Sequence, residues 1–563
     1  MRGSAYVLSM LAAEGLAHVF VVPGGPIAPF LPDLAADPAV RPIVAAHAGG
    51  AVCMADGYAR ATGRFGACIA ACDAGCAELA AGIAAAGADA SPVLCITGRE
   101  SSPADGDDGF DAASGTPCGV AGRLSPLTKI SLDVSHPRLL PGRLRAGLTA
   151  MLAGVRAPAH VRLPLGVQQA EVAGVWRPLD EAACRPRFVD GGAVDRLWRR
   201  LVPEGGGAAP WRAAILAGAG VARSGASEAL AAFAEQFEIP VATTLRGKGV
   251  FPEDHRLSLG VFGPAGHRLA AETLLRGQVE VLIVLGSGLS RTGALFGDLE
   301  MPAGRTLVHV DADPAAIGRR YPADVPIVGD CRTALAHMME GGSARIMRFR
   351  SGNEARSAWL RSIREAGPAL AEVGGAAGPD APPHPARVAA DLRRALPRDG
   401  AVVVDCGSHR AFFTHYFKAY GPRTYFAAIG SALRGWAIGA AIGVKAALDD
   451  RAVACVVGDG GMLAHGTEVA TAARHGLSIA YVVVNNAAFG EVRAGAAALA
   501  GFGGYDFAAF GRSLGARGIR VETPDELPPA LAEALGGDGP CVVDVRCARE
   551  CAGPGLDGEL CGL

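Results

Sequence analysis

Aromatic side chains are scarce in this sequence. They make up 6% of 563 residues, with five Trp and eight Tyr, so its cores must be mostly aliphatic. Charge of one sign is missing too: 53 Lys and Arg stand against 55 Asp and Glu, a net charge of −2. That balance removes the electrostatic reason to expect nucleic acid or an anionic membrane as partner. No apolar run of about 18 residues passes without Asp, Glu or Arg, which excludes a membrane-spanning helix. Met1–Glu14 has no charged segment ahead of a clean apolar stretch, so it does not read as a secretory signal, and a cytoplasmic location is expected. Zinc spacing is lacking as well: Cys547, Cys551 and Cys561 near the end have no His or second close pair to complete a site. The fourteen Cys lie mostly in apolar segments such as Ala70–Cys76 and Ala454–Val457, and read as reduced, small hydrophobes.

What is abundant is Gly, 78 residues, so no single Gly carries information and motifs must rest on spacing. The chain is too long for one core. Short apolar runs alternate with Ala-rich helical stretches throughout, the pattern of parallel α/β layers. Strands are expected at His18–Val22, Ala67–Ala71, Pro92–Thr97 and His160–Leu163, then at Ala213–Leu216, Pro240–Thr244, Val279–Leu285 and Thr306–Val310. A third set is expected at Ala401–Asp405, Ala452–Val457, Ser478–Val484 and Cys541–Val545. Pro203–Pro210 is Gly/Pro-rich, and Gly374–Pro385 has linker composition. The reading is an α/β protein of three doubly wound parallel-sheet domains, at residues 1–175, 190–345 and 385–550, with a tail at 551–563.

The strongest chemical signal is Gly458-Asp459-Gly460-Gly461-Met462, which follows an apolar strand and opens a helical stretch. A helix start presents free N–H groups and positive partial charge, so it favours a phosphate. Asp459 at the strand end would repel that phosphate unless a divalent cation lay between them. The next strand ends in Asn485-Asn486, 27 positions after Asp459, and Asn486 would supply a neutral oxygen. Hard oxygen ligands shared with phosphates suit Mg²⁺.

Gly458–Asn486 is similar to the thiamine-diphosphate motif, and the chain resembles the acetolactate-synthase-like group of thiamine-diphosphate-dependent enzymes. The resemblance implies that Asp459 and Asn486 bind Mg²⁺ through side chains, and Ala488 through its carbonyl. It also implies that Ser408 and His409, in Asp405-Cys406-Gly407-Ser408-His409, hold the diphosphate. Val22-Pro23-Gly24-Gly25, Met54–Gly63 and Thr128-Lys129 look like the group's pyrimidine-binding domain, with Gly24 at the cofactor. Gly247–His255, Val310–Pro314 and Val328–Asp330 match its middle domain. A homodimer or homotetramer is implied, with each cofactor between the first domain of one chain and the third of another.

Three departures stand out. The group's His-Glu-x-x-Ala segment reads His47-Ala48-Gly49-Gly50-Ala51 here. The missing Glu normally bonds the pyrimidine nitrogen and favours the tautomer that deprotonates thiazolium C2; general acid–base help is typically worth about 10²–10⁴-fold. Glyoxylate carboligase also carries an aliphatic residue there. In Gly430-Ser431-Ala432-Leu433-Arg434-Gly435, Arg434 replaces an apolar wedge that bends the cofactor. Three readings are open: Leu433 serves as wedge beside Ala432, Arg434 donates to the pyrimidine nitrogen, or its guanidinium fork takes a substrate carboxylate. Thirdly, Cys72–Glu78 replaces a Gly-Pro-Gly turn, and Glu78 is the nearest acidic candidate for the missing Glu, against a bland reading as a cap.

Phe110 matches an aromatic of the substrate pocket, with Lys129 close after it, and Glu491 sits where an apolar pocket residue is usual. FAD is left open: Gly218-Ala219-Gly220-Val221 and Gly286-Ser287-Gly288, with Arg291 beyond, lack a full dinucleotide fingerprint. The same shortfall argues against a nicotinamide dehydrogenase. The expected activity is decarboxylation of a 2-oxo acid such as pyruvate and ligation of the acyl unit to an aldehyde or ketone. Simple decarboxylation, a carbon–carbon lyase, or a catalytically impaired regulatory subunit are the alternatives.

Overall fold

The computed structural model describes residues 1–71, 76–99, 123–180, 184, 188–202, 212–276, 279–290, 304–350, 353–365, 381–489, 501, 503–548, 551, 553 and 554. Long apolar runs flanked by Gly and Pro favour strands buried on both faces. The first sheet holds β1 (His18–Val22), β2 (Arg41–Val44), β3 (Gly66–Ala70), β4 (Val93–Arg99), β5 (Ile130–Asp133) and β6 (Ala159–Pro164). The second holds β7 (Ala213–Ala217), β8 (Val241–Thr244), β9 (Ser258–Phe262), β10 (Val281–Leu285), β11 (Thr306–Asp311) and β12 (Val325–Val328). The third holds β13 (Ala401–Val404), β14 (Tyr425–Ala427), β15 (Val453–Gly458), β16 (Ile479–Asn485), β17 (Arg517–Val521) and β18 (Cys541–Arg546). Every pairing among them is parallel. The α/β reading with three doubly wound sheets holds.

Strand order gives the domains their kinship. The first sheet runs β2-β1-β3-β4-β6-β5 and the third β14-β13-β15-β16-β18-β17, which is the same order. The middle sheet runs β12-β11-β10-β7-β8-β9, the order of a dinucleotide-binding domain read from the far edge.

All twelve strands expected from the sequence are present, and all are interior. The six not expected, β2, β5, β9, β12, β14 and β17, are the two edges of each sheet. Interior β3, β7 and β10 are buried at every residue, whereas edge β12 alternates buried and exposed and β17 is mostly half-exposed. An edge strand covers less of the core and needs fewer apolar residues, so its run is weak.

The first and third domains share one core. The Ala48–Thr62 helix of the first lies against the Trp436–Ala447 helix of the third. Their backbones come so close that a Cβ on Gly443 would fall 1.8 Å from the Met54 carbonyl oxygen, and one on Gly57 2.1 Å from that of Ala440. The contact is pinned by a buried polar knot. Arg60 pairs with Asp56 through two hydrogen bonds, 2.7 and 2.9 Å, and Trp436 Nε1 donates to the same carboxylate at 2.8 Å. Such paired burial satisfies charges that would be costly alone.

The cysteines of the interior behave as small hydrophobes. Cys68 and Cys95 face each other across β3 and β4 with sulfurs 3.5 Å apart, both buried and neither in a disulfide. Among the described residues no helix is long and apolar enough to cross a membrane.

Candidate active site

At the centre of the third sheet, β13, β15 and β16 lie side by side, so the loops after them emerge together. The order reverses between β13 and β15, and the crevice at such a switch point is where open α/β sheets take ligands. Three sequence candidates meet there: Asp405–His409 after β13, Gly458–Met462 after β15, and Asn486–Ala488 after β16.

Asp459 is buried at the first residue of the Asp459–His465 helix. Its Oδ1 accepts from the Gly460 N–H at 2.7 Å and its Oδ2 from the Ala488 N–H at 3.1 Å. Burial pushes its carboxyl up to about 6, as desolvation does to a carboxylate with no cation beside it. The Asn486 amide lies against the Ala488 carbonyl oxygen at 2.8 Å and Asp459 Oδ2 at 3.2 Å, and its NH2 donates to both. A carboxylate, a carbonyl oxygen and an amide that can turn its own oxygen inward are the donor set a hard divalent cation gathers, so the residues fit Mg²⁺.

The loop is braced by residues to which the sequence reading gave no part. Asn485 Nδ2 donates to Asp544 Oδ1 at 2.8 Å, and the Ala487 N–H donates to Asn485 Oδ1 at 3.2 Å. Ala487 itself has φ of +54°, an uncommon backbone for Ala that the bracing holds. The Asn-Asn pair and an Asp on the adjoining strand were visible signals, but their pairing requires the β16–β18 register.

The anion side is equally legible. Ser408 is the N-cap of the His409–Tyr416 helix and caps nothing with its own hydroxyl. His409 is buried, and its Nε2 has no hydrogen-bond partner. Burial holds that ring down at about 3, hence neutral. A phosphate oxygen beside Nε2 would give it a partner and hold a proton there. Ser431 Oγ is a second buried, unpartnered polar atom. These orphans beside a helix start fit a diphosphate. Behind them Asp405 accepts from the Gly435 N–H at 2.7 Å and the Ala437 N–H at 3.2 Å, and burial raises its carboxyl to about 6. Gly435 needs its φ of +78° here, and a Cβ would strike the His465 ring at 2.6 Å.

At the other end of the cofactor motif set, Ala48 is buried at the first residue of its helix. The His47 Nδ1 accepts from the Gly50 N–H at 3.1 Å, so its Nε2 carries the proton toward His465 Nδ1 at 3.0 Å. Glu468, fully buried, accepts from the Ala46 and His47 N–H groups at 3.1 and 3.2 Å. Glu78 Oε2 accepts from the Ala48 N–H at 3.1 Å, with 54% of its side chain exposed. Residue 48 itself is Ala, and the Glu78 carboxylate lies on its backbone N–H. Glu468 and His465 escaped the sequence reading because their contacts cross from the third domain to the first.

Leu433 is partly buried against the shared core, while Ala432 and Arg434 are exposed. The Arg434 guanidinium lies 4.4 Å from the centre of the Phe489 ring, just beyond the metal loop. Gly24, two residues past β1, comes so close to the residue after β3 that a Cβ would lie 2.4 Å from that of Ala71. Lys129 is an anchor: its ammonium donates to the carbonyls of Ala153 and Val155 at 2.5 and 2.7 Å. Phe110, Glu491, Arg291 and the Cys72–Gly75 turn lie outside the described residues.

In the middle domain Gly218, Gly220 and Gly286 bunch where its sheet switches. A Cβ on Gly220 would come 2.5 Å from the Gly286 Cα, so these glycines serve close packing of strand ends. The adjoining cavity is bordered by Arg156, Arg223, Asp311, Asp313 and Asp330.

Comparison with known families places three models along the chain. The thiamine pyrophosphate enzyme N-terminal TPP binding domain matches residues 1–115, the central domain 209–338, and the C-terminal TPP binding domain 405–545. A probable acetolactate synthase large subunit of Methanocaldococcus jannaschii is 31% identical over 97% of this chain and 92% of its own. The acetolactate synthase large subunit of Corynebacterium glutamicum is 31% identical over 97% and 86%. Glyoxylate carboligase of Escherichia coli O157:H7 is 29% identical over 95% and 90%.

Proposed function

Because the chain belongs to the thiamine pyrophosphate enzyme family, we propose that it decarboxylates a pyruvate-like 2-oxo acid and ligates the acyl unit to an aldehyde or ketone. The observation that carries this reading is the convergence of the Asp459 carboxylate, the Asn486 amide and the Ala488 carbonyl, set beside a His409 Nε2 with no partner among the described residues. Thiamine diphosphate, when bound, supplies the electron sink that decarboxylation of a 2-oxo acid requires. Asp459, Asn486 and the Ala488 carbonyl would hold Mg²⁺ to its diphosphate, and Ser408 and His409 would bind the phosphate oxygens. Leu433, packed against the shared core, would support its bent form.

Glu78 would take the part of the acid absent at residue 48. Its carboxylate already lies on the Ala48 N–H, and half-exposure leaves it able to turn toward a ring nitrogen. Arg434, held over Phe489 beside the metal loop, would orient the carboxylate of the oxo acid by a bidentate contact. The working form would be a dimer or tetramer of this chain, since Ala48 and Asp459 belong to different half-sites.

The test is to supply the purified protein with thiamine diphosphate, Mg²⁺ and pyruvate, with and without an aldehyde, and to follow CO₂ and ligated product. Ligated product is expected. Cofactor binding without CO₂ from any of a panel of 2-oxo acids would refute catalysis and favour a regulatory subunit, the reading that Ala48 supports.

A further inference from the structure

Where the three domains meet there is a cavity of about 460 Å³, within the range of small-molecule sites. Nine Arg or Lys side chains line it, against the two carboxylates Asp89 and Glu228. They come from all three domains: Arg64 from the first, Arg246 and Arg332 from the middle, Arg423 and Arg451 from the third. Asp89 has little charge left to offer. It accepts from Arg60 at 3.2 Å and from the Ile429 and Gly430 N–H groups at 2.9 and 3.0 Å, and lies 3.3 Å from Arg246.

Three of the nine are matched outside the wall, Arg60 by Asp56, Lys248 by Glu253 at 2.5 Å and Arg451 by Asp399 at 3.8 Å, and the other six still outnumber the two carboxylates that line it. Arg223 is held down at about 10 by burial, and Arg423 is lowered by burial and by Arg451 beside it. Arg423 also sits at φ of +61°, a backbone that a long side chain rarely adopts. Two hydroxyls in the wall are left without partners: Ser91 Oγ and Ser227 Oγ, on residues only 4% and 9% exposed. Unmatched hydroxyls and net positive charge in one cavity call for an anion carrying several charges.

We propose that this junction is a binding site for a compact polyphosphate, taken up as an inorganic di- or triphosphate or as the phosphate tail of a nucleotide. Guanidinium forks match phosphate oxygens in pairs, and a ligand held from three domains would lock their arrangement. The neighbouring cavity of the middle domain shares Arg156 and Arg223 with the junction but adds Asp311, Asp313 and Asp330, so a polyanion would be drawn to the junction instead. The site is separate from the cofactor's own diphosphate loops after β13 and β15.

The experiment uses the full chain in its native assembly, with thiamine diphosphate and Mg²⁺ bound beforehand and free Mg²⁺ removed. Inorganic triphosphate is titrated by calorimetry, and the thermal midpoint is followed in parallel. Saturable binding at one per chain with a raised midpoint is expected. The double variant Arg332→Glu/Arg423→Glu alters two exposed side chains, and should bind at least tenfold more weakly while keeping the parent's cofactor affinity. The single variant Arg332→Gln, expected about threefold weaker, serves if the double variant does not fold. A second arm titrates ADP. Tighter binding of ADP than of triphosphate, lost in the same variants, would identify the nucleotide as source. No saturable binding of either anion, or binding undiminished in the variants, overturns the proposal.

Discussion

The first and third domains share one strand order, yet their switch points are furnished in opposite ways. The third places Asp459, Asn486, Ser408 and His409 around its crevice, with buried polar atoms awaiting partners. The first brings together Gly24 and Ala71, close enough that a Cβ on the Gly would strike, and begins its key helix with Ala48. Two histidines show the same contrast. His160 of the first domain is as buried as His409, but bonds Thr97 Oγ1 at 2.9 Å and Ser131 Oγ at 2.8 Å. His409 Nε2 bonds nothing. The difference teaches that topology supplies a crevice, and that unsatisfied chemistry marks which crevice is used.

The comparison breaks first at the metal. Asp459→Ala is expected to weaken Mg²⁺-dependent binding of thiamine diphosphate at least 100-fold and abolish CO₂ release, leaving far-ultraviolet circular dichroism unchanged. Equal affinity in calorimetry would remove the metal role. Next comes the altered half. Glu78→Gln is expected to slow exchange of the bound cofactor's C2 proton about 10²-fold, the scale of general acid–base help, and Ala48→Glu to restore it in that background. An unchanged exchange rate would reduce Glu78 to a helix cap.

His409→Ala should weaken cofactor binding about tenfold, the worth of one charge-assisted hydrogen bond, whereas His160→Gln should leave it untouched. Arg434→Leu should raise KM for the oxo acid about tenfold while kcat changes less. An unaltered KM with slowed C2 exchange would move Arg434 to the pyrimidine nitrogen.

The smallest effect is in pH. Burial holds His160 at about 4 and His267 at about 3. A pKa lowered on folding gives stability that is present above the unfolded value near 6.5 and lost as pH falls toward the folded one. Asp405, raised to about 6, works the other way: its contribution is present below about 4 and lost as pH rises through 6. The parent's thermal midpoint should therefore decline as pH falls from about 6.5 toward 4, with Asp405 offsetting part of that decline below about 6. His267→Gln should flatten that fall, and an equally steep decline would contradict it.

Much of this was legible in the residues. Interior strands such as β7 and β10 announce themselves because burial on both faces demands continuous apolar runs. Edge strands such as β2 and β17 do not, because solvent on one side relaxes that demand. At the site, Gly458–Asn486 was legible as a candidate phosphate and metal loop, since backbone turns and hard oxygen ligands need particular residues at particular spacing. Ser431, Glu468 and His465 left no such mark, because their partners are hundreds of positions away or are defined by a missing hydrogen bond.

Sequence by itself determined the three α/β sheets, the Gly458–Asn486 segment that resembles a thiamine-diphosphate motif and the Ala at residue 48, all properties of local pattern and residue identity. Only the tertiary structure decided that Glu78 reaches the Ala48 backbone, that Arg434 stacks on Phe489, and that cations of three domains converge on one cavity. Those are matters of distance between segments remote in sequence, and distance is set by how the cores pack.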